Sequence, residues 1–103
     1  SRIVDIGGNY GALLSKLLKV HPKLNGLLFD IPTVIDKAKF IWKEKHSDLS
    51  DRISMKSGTF FDVNTLPEIN DHDAVLLKNT LHDWSDADAL LILKNLRKII
   101  SLT

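Results

Sequence analysis

The chain has 103 residues, enough for one small domain and no more. Its composition, 44% apolar and 26% charged, excludes disorder for the bulk, and 14 basic residues against 13 acidic leave a net +1, too weak a field to argue for nucleic acid or a membrane surface. With no Cys, disulfides, thiolate metal sites and cysteine nucleophiles are excluded, and no apolar run approaches the roughly 20 residues of a membrane span. A soluble, cytoplasmic domain is the expectation. Ser1 stands just ahead of a strand-like run and Thr103 just after a helix-like one, so the sequence reads as a piece of a larger chain.

Ile3-Val4-Asp5-Ile6 is a β-branched run of the kind that forms a buried parallel strand. Three of the five glycines follow at once: Gly7, Gly8 and Gly11. Ala12, Leu13, Leu14, Leu17, Leu18 and Val20 then recur at helical spacing until His21-Pro22 stops the helix. A turn at Asn25-Gly26 leads into a second strand, Leu27-Leu28-Phe29, which ends at Asp30. Pro32 and Thr33 open a helix over about 34–46, with Val34, Ile35, Ala38, Ile41 and Trp42 on one face and Lys37, Lys39, Lys43 and Lys45 on a solvated one.

Residues 47–51 read as a polar loop. Ile53-Ser54-Met55-Lys56-Ser57 alternates apolar and polar, as a strand at a sheet edge does. Residues 60–73 read mostly as loop, and Ala74-Val75-Leu76-Leu77-Lys78 as a fourth strand whose edge exposes Val75, Leu76 and Leu77. Ser85 and Asp88 form a capping signal for a last helix over 89–100.

Strands alternating with helices require an α/β fold, a Rossmann-like parallel sheet with flanking helices and right-handed crossovers. Ligands of such sheets bind beyond the carboxyl ends of the strands, where strand order reverses. Gly7 and Gly8 allow positive φ and close backbone approach there, and Asp30, at the end of the next strand, can accept both hydroxyls of a ribose. Gly7, Gly8 and Gly11 lack the Gly-x-Gly-x-x-Gly spacing of dinucleotide sites. Asp5 would repel a phosphate but suits a positively charged ligand, an amino group or a sulfonium. That points to S-adenosyl-L-methionine rather than NAD. The bland alternative, a tight strand-to-helix turn and nothing more, stays open at this point. His21, His46 and His72 show no metal-ligand spacing, and no metal is assigned.

Val4-Asp5-Ile6-Gly7-Gly8-Asn9-Tyr10-Gly11, Phe29-Asp30-Ile31-Pro32 and Leu81-His82-Asp83-Trp84-Ser85-Asp86 together carry a resemblance. The chain resembles the class I S-adenosylmethionine-dependent small-molecule O-methyltransferases typified by plant caffeic acid and animal hydroxyindole enzymes, from Ile3 to about Ile100. The resemblance implies that residues 1–103 hold the first four strands of a seven-stranded methyltransferase domain. It implies His82 as the catalytic base on a small hydroxylated aromatic substrate. Cofactor contacts would come from Asp5, Gly7, Gly8, Asp30, Thr59, Phe60 and Lys78, with Lys78 beside the adenine and Asp83 and Trp84 shaping the pocket.

The resemblance further implies a homodimeric full-length parent, with its dimer-forming domain and the acids that orient His82 outside this segment. On that reading the 103 residues alone transfer no methyl group. Three positions depart from the family: Asn9 stands for a glycine, Tyr10 for a small residue, and Thr59 for an acid that contacts the adenine. Asn tolerates the left-handed region. Tyr10 either crowds the methionine end of the cofactor or points to solvent. These departures support an alternative, a non-catalytic nucleotide-binding or regulatory domain of the same fold; an NAD-dependent oxidoreductase core is weakened by the glycine spacing and by Asp5.

Overall fold

The computed structural model describes residues 2–59 and 61–77. In chain order these form β1 (Arg2–Ile6), α1 (Ala12–Val20), β2 (Asn25–Asp30), α2 (Pro32–Lys45), a 3-10 helix (Ser47–Arg52), β3 (Ile53–Ser57), a short 3-10 turn (Val63–Thr65) and β4 (Asp73–Leu76). The four strands make one sheet in the order β3-β2-β1-β4, and every pairing is parallel. The expected α/β architecture is present, with β3 at an edge as its alternating pattern indicates. The expected helix over 89–100 lies outside the described residues.

Successive side chains of β1 and β2 point to opposite faces, and both faces are covered. Val4, Ile6, Leu27 and Phe29 pack on one face with Leu66, beneath the segment that follows β3. Leu28 faces the other way and joins Leu14 and Leu18 of α1 with Ile35, Ala38 and Trp42 of α2. Strands buried on both faces read as near-continuous apolar runs, which is why β1 and β2 stood out in the sequence.

The structure departs from the sequence reading in several places. β2 begins at Asn25, so Gly26 is a strand residue paired with Ile3 and Ile53, not part of a turn. A Cβ there would sit 3.0 Å from Leu14, so glycine lets α1 pack down on the sheet. The turn falls earlier, where the Leu24 amide donates to His21 O at 3.0 Å. Residues 47–51 belong to the 3-10 helix, because Leu49, 2% exposed, plugs the core below α2. Among the described strands β4 ends the sheet, as expected, but its side chains are less exposed than expected: Val75, Leu76 and Leu77 are half-buried, and Val75 and Leu77 pack against the Phe29 cluster.

Two arginines fasten the framework, and neither stood out in the sequence. Arg2 faces Asp73 across the β1–β4 register and donates to both of its carboxylate oxygens, at 3.2 and 2.6 Å. That pairing holds the Asp73 carboxyl below its ordinary range. Arg52 donates to the carbonyls of Leu18, His21 and Leu24 at 2.6, 2.9 and 2.9 Å, a charged donor that ties together the last turn of α1 and the turn that follows it.

Candidate functional site

From β1 the chain passes to β2 on one side and returns only later, as β4, on the other. Strand order therefore reverses at β1, and the carboxyl end of β1 is the switch point where a ligand crevice forms. The glycine loop, residues 7–11, leaves β1 there. Gly7, Asn9 and Gly11 have φ of 69°, 58° and 79°, so three residues in five lie in the left-handed region. Such a path persists only where neighbours over-determine it. Gly7 and Gly8 donate to Phe29 O at 2.8 and 3.4 Å, Gly11 donates to Gly8 O at 3.0 Å, and the Asn9 amide donates to Asp30 Oδ2 at 2.9 Å.

Of the two properties expected of the leading glycines, positive φ is used by Gly7 and close backbone approach by Gly8. A Cβ on Gly8 would lie 2.5 Å from Asp5 Cγ and 2.5 Å from Leu28 Cδ1. Gly8→Ala should therefore lower folding stability by about 2–3 kcal/mol, since the intruding methyl meets two buried side chains. Urea denaturation checks this, and a change below about 0.5 kcal/mol would contradict it. Asn9 does occupy the left-handed region, as its residue type allows.

Asp5 lies directly under Gly8, only 5% exposed, and on the same face as Leu28, its register partner. No hydrogen bond from the described residues reaches its carboxylate. Burial pushes its pKa up to about 6, and the nearby charge of Asp30 adds to the rise. An almost enclosed carboxylate without a donor gains either by keeping its proton or by receiving a cation.

Asp30 joins three segments. Its Oδ2 holds the glycine loop, its Oδ1 accepts from the Ile31 amide at 2.8 Å, and its backbone carbonyl accepts from Gly58 at 3.1 Å. Both carboxylate oxygens keep a lone pair for an incoming hydroxyl. Beyond β3, the Thr65 hydroxyl accepts from the Thr59 amide at 2.9 Å and lies within 2.9 Å of the Thr59 carbonyl, which it can serve as donor. The Thr59 hydroxyl accepts from the Phe61 amide at 3.3 Å. Ile31, next to Asp30, and Phe61, two residues after Thr59, are large apolar side chains that remain 43% and 40% exposed. The N-cap of α1 is Gly11, with no side-chain cap, so the first-turn N–H groups of that helix stay available to an acceptor.

The structure thus brings Asp5, Gly7, Gly8 and Asp30 together at one strand end and places Thr59 at the end of β3. Phe60, Lys78 and His82, with Asp83 and Trp84, lie outside the described residues. Among the described residues, no group of three or more His, Asp or Glu is placed to hold a metal. Tyr10 does not simply point to solvent: it is half-buried against the α1–α2 cluster, with Lys37 Nζ 5.3 Å from its ring centre. Sequence reasoning missed Trp42 as anything but a core residue. Its ring lies 2.9 Å from where a Gly11 Cβ would stand, and its Nε1 donates to Tyr10 O at 2.8 Å. Only a Trp at helical spacing was visible beforehand, and the loop carbonyl it meets is 32 residues away.

Comparison with known proteins gives the family and the fold. The family model for the O-methyltransferase domain matches residues 1–102. O-methyltransferase 7 of Dictyostelium discoideum is 41% identical over 96 residues, which cover 93% of this chain and 25% of that protein. (R,S)-reticuline 7-O-methyltransferase of Papaver somniferum is 37% identical over 98 residues, 95% of this chain and 24% of that protein. The chain thus spans about a quarter of the length of these relatives. Among solved structures, an O-methyltransferase from neocarzinostatin biosynthesis, in complex with S-adenosylmethionine and 2-hydroxy-5-methyl naphthoic acid, superposes with a TM-score of 0.82 at 33% identity, covering 97% of this chain and 29% of that one.

Proposed function

This chain belongs to the O-methyltransferase domain family, and from that premise we propose that it forms the S-adenosylmethionine-binding part of an enzyme that methylates a hydroxyl of a small aromatic compound. One observation carries the reading: the Asp5 carboxylate, nearly buried beneath Gly8 and without a hydrogen-bond donor among the described residues, across from Asp30 at the switch point. This donor set fits the cofactor. Asp5 receives positive charge, Asp30 accepts ribose hydroxyls, and Gly7 and Gly8 let the backbone approach. Thr59 and Phe60, with Lys78, border the adenine in this proposal.

When bound, S-adenosylmethionine supplies a methyl group on a positively charged sulfur. The acceptor oxygen is a weak nucleophile until its proton leaves, and His82 is the residue proposed to take that proton. The bond from oxygen to the methyl carbon forms as the carbon–sulfur bond breaks; its electron pair stays on sulfur, which becomes neutral. The hydroxylated aromatic substrate is supported by the similarity to the reticuline enzyme and to the neocarzinostatin enzyme, which is in complex with a naphthoic acid. A homodimeric parent rests on the family resemblance.

A regulatory domain that keeps the fold without catalysis loses part of its support. Asn9 holds the left-handed conformation that a glycine would take. Calorimetry tests the cofactor reading first: S-adenosylhomocysteine should bind and NAD should not. Methyl transfer from S-adenosylmethionine to a panel of phenols tests the reaction in the full-length protein. Binding of NAD in preference, or no transfer to any phenol, overturns the proposal.

A further inference from the structure

We propose that Trp42 is a positioning residue for the glycine loop, its indole N–H setting the orientation of the Tyr10–Gly11 peptide so that the loop is preformed for its ligand. The inference rests on the cofactor reading of the same loop. It starts from the geometry of one amide. Trp42 Nε1 donates to Tyr10 O at 2.8 Å, which turns that carbonyl toward α2. In a trans peptide the N–H points opposite to the C=O, so the Gly11 N–H is turned away from α2. There it donates to Gly8 O at 3.0 Å, closing the turn that contains left-handed Asn9.

The indole is itself held. Trp42 is 4% exposed, packs among Leu14, Ile35 and Ala38, and meets the His46 ring edge-on with centroids 5.0 Å apart. Its ring also fills the space where a Gly11 side chain would stand, 2.9 Å away. The loop is therefore gripped from two sides, by Asp30 at the Asn9 amide and by Trp42 at the Tyr10 carbonyl. Asp30 faces the ligand; Trp42 acts from behind, through the backbone. Three left-handed residues in a row of five need this double hold, because an unpinned loop would populate other paths and binding would have to select the competent one.

The test separates hydrogen bonding from packing. In Trp42→Phe an aromatic side chain remains, smaller than the indole, and the donor is lost. The Kd for S-adenosylhomocysteine should rise about tenfold, equivalent to roughly 1.4 kcal/mol. The Gly11 amide should exchange faster in the unliganded variant. Benzothienylalanine at position 42 keeps the bicyclic shape and replaces N–H by sulfur; it should reproduce the weaker binding even if the Phe variant folds poorly. Unchanged affinity in both variants, with the wild type binding normally, overturns the role of Trp42 alone. A wild type that does not bind S-adenosylhomocysteine overturns the cofactor reading and this proposal together.

Discussion

Asp5→Asn should make the unliganded protein more stable at pH 7.5 and a poorer binder. The two effects have one origin. In the folded chain the Asp5 carboxyl titrates at about 6 against an ordinary 3.8, chiefly because burial disfavours its charged form. The fold therefore binds a proton more tightly than the unfolded chain does. The stability this supplies is complete below about pH 3.8, declines as pH rises through about 6, and is gone above that. At pH 7.5 the ionised carboxylate costs about 3 kcal/mol, which an amide of the same shape avoids. Chemical denaturation of the two proteins from pH 4 to 8 reads this directly: the variant's advantage should grow with pH and level off above about 6.5. Equal stability at every pH would refute it.

Binding should move the opposite way. A ligand that brings positive charge to Asp5 favours the ionised form, so binding displaces a proton. Wild-type affinity for S-adenosylhomocysteine, which carries an ammonium group, should rise as pH passes from 5 to 7. In Asp5→Asn the Kd should be at least about tenfold higher at pH 7.5 and nearly independent of pH over that range, the loss expected when a charged partner is removed. A variant that binds as tightly as the wild type would remove Asp5 from the proposed site. Stability and affinity in conflict at one residue is the behaviour of a group placed for a ligand rather than for the fold.

His82→Gln carries the second large effect. With the proposed base gone, kcat for a phenol should fall about 100-fold or more, the usual contribution of a positioned general base. The Kd for S-adenosylhomocysteine should stay within about twofold, because an uncharged histidine that serves as base is not needed to hold the cofactor. The wild-type rate should rise with pH as the base loses its proton, and that limb should vanish in the variant. Acidic phenols, already ionised at neutral pH, should lose much less. A uniform loss across acidic and ordinary phenols would argue against His82 as a base.

Much of this was legible along the chain, for reasons particular to each element. β1 and β2 declared themselves because strands buried on both faces are continuous apolar runs. α1 and α2 were set by their spacing, with Pro32 at the start of α2. The 3-10 helix over Ser47–Arg52 was hidden because its anchoring residue, Leu49, is a lone apolar residue in a polar stretch. Gly26 was misread as part of a turn because a glycine signals only that a side chain is unwelcome. It took α1 packed above it to show that the obstacle is Leu14 rather than the backbone angle.

The sequence by itself determined the order of strands and helices, the glycine loop between β1 and α1, the acids at Asp5 and Asp30, and the family motifs, because each is written in local spacing and residue type. The tertiary structure decided what those residues do to one another. Gly8 serves by close approach over Asp5, Asp5 is driven toward its neutral form by burial, Tyr10 turns under Lys37, and Trp42 grips a carbonyl far away in the chain. Periodicity and backbone preference act within a few residues, so they can be read in order. Desolvation, steric contact and hydrogen bonding across the core depend on which distant segments pack together, and only the folded sheet brings those segments within reach.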